Sequence, residues 1–196
     1  MNKNYLIIGG IVLLVIIFFS NIVGSYNSIV TKEEGVTAQW AQVENVYQRR
    51  ADLIPNLVAT VKGYASHEKE TLEGVIEARS KATSTTIDAS NLNAASIQSF
   101  QAAQDGLSSA LSRLMVVVER YPDLKANQNF LELQAQLEGT ENRISVERKK
   151  FNESARDYNT YIKKFPKNLI AGMFDFEKKD YFESVKGAEI APEVKF

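Results

Sequence analysis

The chain has 196 residues, 44% of them hydrophobic and 24% charged, with a net charge of −1. That apolar content supports one packed domain, and the near-neutral charge without a basic block excludes a nucleic-acid footprint. With no cysteine and a single histidine, His67, the chain has no disulfide or thiolate chemistry and cannot build a metal site from several of its own imidazoles.

No charged residue lies between Lys3 and Lys32, and Leu6 to Val23 is apolar except for Gly9, Gly10, Ser20 and Asn21. Eighteen helical residues span about 27 Å, close to the hydrocarbon thickness of a bilayer. Residues 1–25 therefore read as an N-terminal transmembrane anchor, single-pass, touching membrane lipid through residues 6–23. A cleaved signal peptide is the rival reading, because Gly24 and Ser25 supply small residues. Lys3 on one side and Lys32, Glu33 and Glu34 on the other lean weakly towards a cytoplasmic N-terminus and leave the side of the downstream domain open.

Beyond the anchor, Val36, Trp40, Val43, Tyr47, Arg50, Ile54, Leu57, Val61, Tyr64, Glu68, Thr71 and Val75 recur at alternating steps of four and three. This heptad pattern predicts a first long helix from about Asn27 to Ala82, roughly 80 Å in length. A connector rich in Ser, Thr, Ala and Asn follows at 82–96. A second helix, from about Leu92 to Tyr121, carries Ile97, Phe100, Gln104, Leu107, Leu111, Leu114 and Val118. In "YPDL" (121–124), Pro122 marks a break, and Asp123 or Asn127 is placed to cap what comes next. A third helix carries Phe130, Leu133, Leu137, Thr140, Ile144, Phe151, Tyr158 and Phe165. "FPKN" (165–168) breaks it before a short fourth piece. The expected fold is all-α: the anchor, then an antiparallel helical bundle of three long helices and a short fourth over 26–186, then a tail at 187–196.

Within "RRADLIP" (49–55), Arg50 falls on the apolar seam and Pro55 removes a backbone donor inside the helix. If the second helix folds back antiparallel and ends beside positions 50–55, Arg50 pairs with Glu119 and the last carbonyls of that helix. Arg49, Arg50, Asp52, Pro55 and Glu119 thus form one candidate structural or interaction cluster, with solvation of the arginines as the alternative. Glu68, also on the seam, is expected to meet Arg113 or Arg143, or else to lie at the edge of the interface. The stripe on residues 27–49 must be covered by the segment after Phe165 or by a second copy. Phe174, Phe176, Tyr181 and Phe182 are the candidate partner-facing or membrane-facing patch. "HEKET" (67–71) has Thr71 where a zinc-protease helix needs its second histidine, so no catalytic, metal or cofactor site is expected.

"YNSIVTKEEGVTAQWAQVENVYQRRADLIPNLVATVKGYASHEKETLEGVIEAR", "ERYPDLKANQNFLELQAQLEGTENRI" and "ARDYNTYIKKFPKNLIAGMF" together resemble the LemA family of bacterial membrane-associated proteins. The resemblance runs from the anchor to about Phe182 in the family's order. It implies one N-terminal membrane helix and a four-helix bundle, the fourth helix beginning near Lys167, and it supplies no biochemical activity. The expectation is a membrane-anchored, non-enzymatic interaction or scaffold module whose partner is a membrane or envelope protein. The alternative is an accessory or regulatory subunit that binds a small ligand or envelope component through Arg49, Arg50 and Glu68.

Overall fold

The computed structural model describes residues 3–89 and 92–183. Helix α1 runs unbroken from Lys3 to Tyr64, α2 covers Lys69–Ser84, α3 Ala94–Val118, α4 Pro122–Lys125, α5 Gln128–Lys163 and α6 Lys167–Met173. There is no strand among the described residues, and the all-α bundle expected from the seams is the architecture observed.

One predicted element is two. The first long helix does not continue to Ala82; it ends at Tyr64, turns at 65–68, and α2 returns alongside α1. A straight continuation would carry Leu72, Val75 and Ala82 past the end of α3, with nothing to cover them. Folding back places them, buried, against Leu107, Leu111 and Leu114 of α3. Each leucine or valine side chain so taken from water contributes about 1.5–3 kcal/mol. His67 accordingly sits exposed in the turn, not inside a helix.

With α2 reversed, α1, α2, α3 and α5 run up, down, up and down. The α3–α5 connection therefore lies at Tyr64 and Glu68, where Asn127 Nδ2 donates to Tyr64 Oη and Tyr121 Oη donates to Glu68. It does not reach positions 50–55. The breaks fall where the prolines put them: Pro122 opens α4, and Asn127 caps α5, its side chain accepting from Phe130 N. Pro166 precedes α6, so α5 stops at Lys163 and Phe165, an expected seam residue, is left exposed.

Below the turn, residues 27–49 of α1 are covered from within the chain. Val36, Trp40, Val43 and Tyr47 are buried against the C-terminal half of α5, Phe100 of α3 and the segment after α6. Of the two ways left open for this stripe, the intrachain one is what the structure has. The expected tail at 187–196 lies outside the described residues.

Candidate functional site: a buried arginine layer and an asparagine-clamped strap

Arg50 is 1% exposed and lies between an aromatic core around Trp40 and an aliphatic core around Leu57 and Leu114. Its Nη1 donates to Glu141 Oε1 at 2.7 Å and Ser108 Oγ at 2.9 Å; its Nη2 donates to Gln104 Oε1 at 2.7 Å and Gln104 O at 3.3 Å. The guanidinium also lies 5.1 Å from the Tyr47 ring centre. Gln104, itself buried, donates from Nε2 to Ala82 O near the end of α2. One polar layer thus joins all four long helices of the bundle, and sliding any of them by one turn would strand a buried polar group.

The expected partner, Glu119, is elsewhere: it accepts from Lys125 at 2.6 Å, beyond the distal end of α3. The reason is the turn at 65–68, which shifts the level at which α3 meets α1. Arg49 is exposed, and Asp52 accepts from Gln48 on the outer face. Pro55 removes a backbone donor, as its position inside the helix predicts. Lacking an N–H, it leaves the carbonyl of buried Ala51 without its helical donor, and Arg79 Nε of α2 supplies one at 2.7 Å.

Glu68 lies at the turn and accepts from Arg120 Nη2 at 2.9 Å and Tyr121 Oη at 3.0 Å. Arg113 and Arg143, the partners expected for it, are exposed on α3 and α5. Donating to Glu68 holds the Tyr121 hydroxyl above its ordinary pKa.

A second constellation went unanticipated. After α6, Asp175 adopts a left-handed conformation (φ 55°) and Phe176 N reaches back to Ala171 O, a helix stop that turns the chain into an extended strap. Asn159 and Asn152, one heptad apart on α5, hold it. Asn159 accepts from Lys179 N (2.9 Å) and donates to Lys179 O (2.7 Å), while Asn152 accepts from Phe182 N and donates to Phe182 O, both at 2.9 Å. Each amide imitates a neighbouring strand's peptide group and satisfies backbone that helices cannot pair.

Phe182 is therefore core, not surface: its ring stacks on Trp40 at 5.7 Å and meets Phe151 edge-on at 5.5 Å. Phe176 is half-buried, and the Tyr181 hydroxyl oxygen accepts from Asn159 Nδ2 at 2.9 Å. Phe174 is partly exposed beside Tyr26. Lys179 is buried and pairs with Glu33 at 2.7 Å. Tyr158, buried beside it, has a hydroxyl with no hydrogen-bond partner among the described residues, and burial pushes its pKa well above the ordinary value. In the sequence Asn152 and Asn159 read as ordinary polar positions of a long helix, one heptad apart.

At the other end, the most hydrophobic stretch of α1 is long and apolar enough to cross a membrane, and none of it is buried by the rest of the chain.

The LemA family profile matches residues 39–196. Magnetosome protein MamQ 2 of Paramagnetospirillum magneticum is 28% identical over 190 residues, covering 88% of this chain and 70% of that protein. Magnetosome protein MamQ of Magnetospirillum gryphiswaldense is 28% identical over 188 residues, covering 87% and 69%. Protein LemA of Metamycoplasma hominis is 24% identical over 168 residues, covering 86% and 73%.

Proposed function

The chain belongs to the LemA family, and from that premise we propose that it is a single-pass, non-catalytic helical module that presents a binding surface to a protein partner at the membrane. The kinship with MamQ and LemA proteins supports a membrane-associated, non-catalytic reading. The observation that carries the tether is a contrast along one helix. Residues 7–19 of α1 are exposed at every described position, yet Ile29, Val36, Trp40 and Val43 on the same helix have no exposure. Apolar surface of that extent is stable in lipid and not in water. Confining a partner to the plane of the membrane raises its effective concentration without any new contact.

Arg50 supports this reading over the ligand-binding alternative. Both its terminal nitrogens are taken by Gln104, Ser108 and Glu141, so a ligand would have to displace bonds that hold four helices in register. Two measurements test the proposal. The protein should stay in the membrane pellet through alkaline carbonate extraction, and release into the supernatant would remove the tether. Crosslinking in intact membranes, then purification in mild detergent, should recover one reproducible partner. Recovery of the bare monomer would remove the scaffold role.

A further inference from the structure

We propose that α6 and the turn before it form a foot that lies on the anionic headgroup surface of the bilayer, beside the point where α1 enters it. This inference rests on the tether reading above.

The placement comes from α6's neighbours. It packs on α1 and on the end of α5. Lys167, its first residue, lines a surface depression with Ser20, Asn21, Gly24, Ser25 and Ser28 of α1. Just beyond α6, Phe174 meets the Tyr26 ring at 4.9 Å. Residues 7–24 of α1 cover about 27 Å, so hydrocarbon that encloses them ends near Gly24. Whatever stands beside Ser20–Ser28 then stands at the headgroups.

The chemistry fits that depth. Ile170 and Ala171 are buried inside the fold. Phe165, Leu169 and Met173, spaced by four, are 80%, 59% and 69% exposed. Helical spacing sets Leu169 and Met173 on one face of α6, with Phe165 one step before it. Three large apolar side chains in a row are unusual for a water-facing surface and suit the boundary between headgroups and acyl chains. Lys163 and Lys164 are exposed beside them, and Lys167 lies 5.1 Å from the Tyr161 ring. Three cations flanking an apolar strip match anionic headgroups, and neither neutral lipid nor a protein groove alone calls for both features. Asp175 and Glu177 come only after the strip has ended.

The absence of cysteine makes a direct test possible with the full-length chain. Single variants Leu169→Cys, Leu13→Cys and Leu131→Cys, each carrying an environment-sensitive fluorophore, are reconstituted into phosphatidylcholine vesicles with and without phosphatidylglycerol. Leu131 is exposed at the opposite end of the bundle and serves as the aqueous reference. In anionic vesicles the label at 169 should shift to the blue and be quenched by lipids with a shallow nitroxide, while the label at 131 stays aqueous. Replacing Lys163, Lys164 and Lys167 with Gln should reverse most of that shift.

A label at 13 quenched by deep nitroxides together with an aqueous label at 169 overturns the foot and leaves the tether standing. An unquenched label at 13 overturns both. A blue-shifted label at 169 that lipid nitroxides do not quench means a protein surface, such as a second copy, covers the strip, and the proposal fails. Equal quenching in neutral and anionic vesicles overturns the role given to the lysines.

Discussion

On the anchor-proximal side of Arg50 the core is filled by Trp40, Tyr47, Phe100, Phe151, Tyr158 and Phe182, whereas on the distal side Phe130 is the one buried aromatic among the described residues, set among Leu, Ile, Val and Ala. The distal half is a true four-helix arrangement. Regular helices leave regular gaps, and aliphatic side chains fill them. The proximal half is an α1–α5 pair completed by the first turns of α3, a loop, a short helix and an extended strap. Its gaps are irregular, and large flat rings that meet edge-on or stacked close them. The halves also differ in how far apart in sequence their contacts lie. The distal half includes contacts of α1 with α2 across the short turn at 65–68, whereas Trp40 meets Phe182 only after nearly the whole bundle has been threaded, so the proximal half is expected to open the more easily.

The difference can be broken most directly at Phe182. Phe182→Ala removes the ring that covers Trp40 and should destabilise the detergent-solubilised protein by about 3–5 kcal/mol. Hydrogen exchange is the informative readout: protection should fall around residues 36–47 and 151–162 and persist around 54–61 and 107–118. Uniform loss would show that the halves are one cooperative unit.

Arg50→Leu attacks the boundary between them. It leaves Gln104 Oε1 without its donor, and a cost of about 2–3 kcal/mol is expected in chemical unfolding. Adding Gln104→Leu should recover part of this, since Oε1 is no longer left without a donor, and only part, since Ala82 O then loses its own. No recovery would mean that the arginine acts through packing alone.

Arg79→Leu removes the donor to Ala51 O and should cost about 1–2 kcal/mol in the distal half. In Pro55→Ala the ordinary helical bond can form again, so there the same Arg79 replacement should cost much less. Equal costs in both backgrounds would sever the link between the proline and the arginine.

The smallest effect is expected at Tyr158, and it has the opposite sign. Tyr158→Phe discards a buried hydroxyl that has no partner among the described residues and should stabilise by about 1 kcal/mol. Burial, then the charges of Glu33 and Glu177, raise the folded pKa above the ordinary value of 10.0, so the neutral form is favoured in the folded protein. Tyrosine therefore gives full stability below pH 10 and loses it progressively above, as the unfolded chain ionises first. The phenylalanine variant should have a flatter alkaline limb in a stability–pH series, and an identical limb would sink the assignment.

The seams, the proline breaks and the Asn127 cap could all be read from the sequence because each is a local rule: periodic burial, a missing N–H, a side chain reaching three residues ahead. The turn at 65–68 was not, because Leu72 and Val75 keep the heptad phase of α1 and periodicity cannot register a reversal of direction. Two residues did signal it: the seam turns polar at Glu68 and Thr71, and an 80 Å helix would outrun everything able to cover it. The partners of Arg50 were missed for the same reason, since they follow from where α3 lies once α2 has doubled back. That Arg50 would be buried and paired could be read from its seam position; that Gln104, Ser108 and Glu141 would do the pairing could not. The strap was illegible for another reason. Non-helical backbone has no period, and the amides that hold it look in sequence like ordinary polar positions on a long helix.

Helix α1 passes from Lys3 to Tyr64 with no interruption where its exposed apolar stretch gives way to the buried one. Under the tether proposed above, a flexible linker there would let the domain swivel like a tethered float, whereas an unbroken helix makes it a mast. The tilt and azimuth of the apolar segment become those of the Arg50 layer some 40 Å higher. Whatever docks on the outer faces of the bundle would then meet them at a fixed bearing to the lipid plane, and neighbouring masts could set one another's heading without ever touching above the surface.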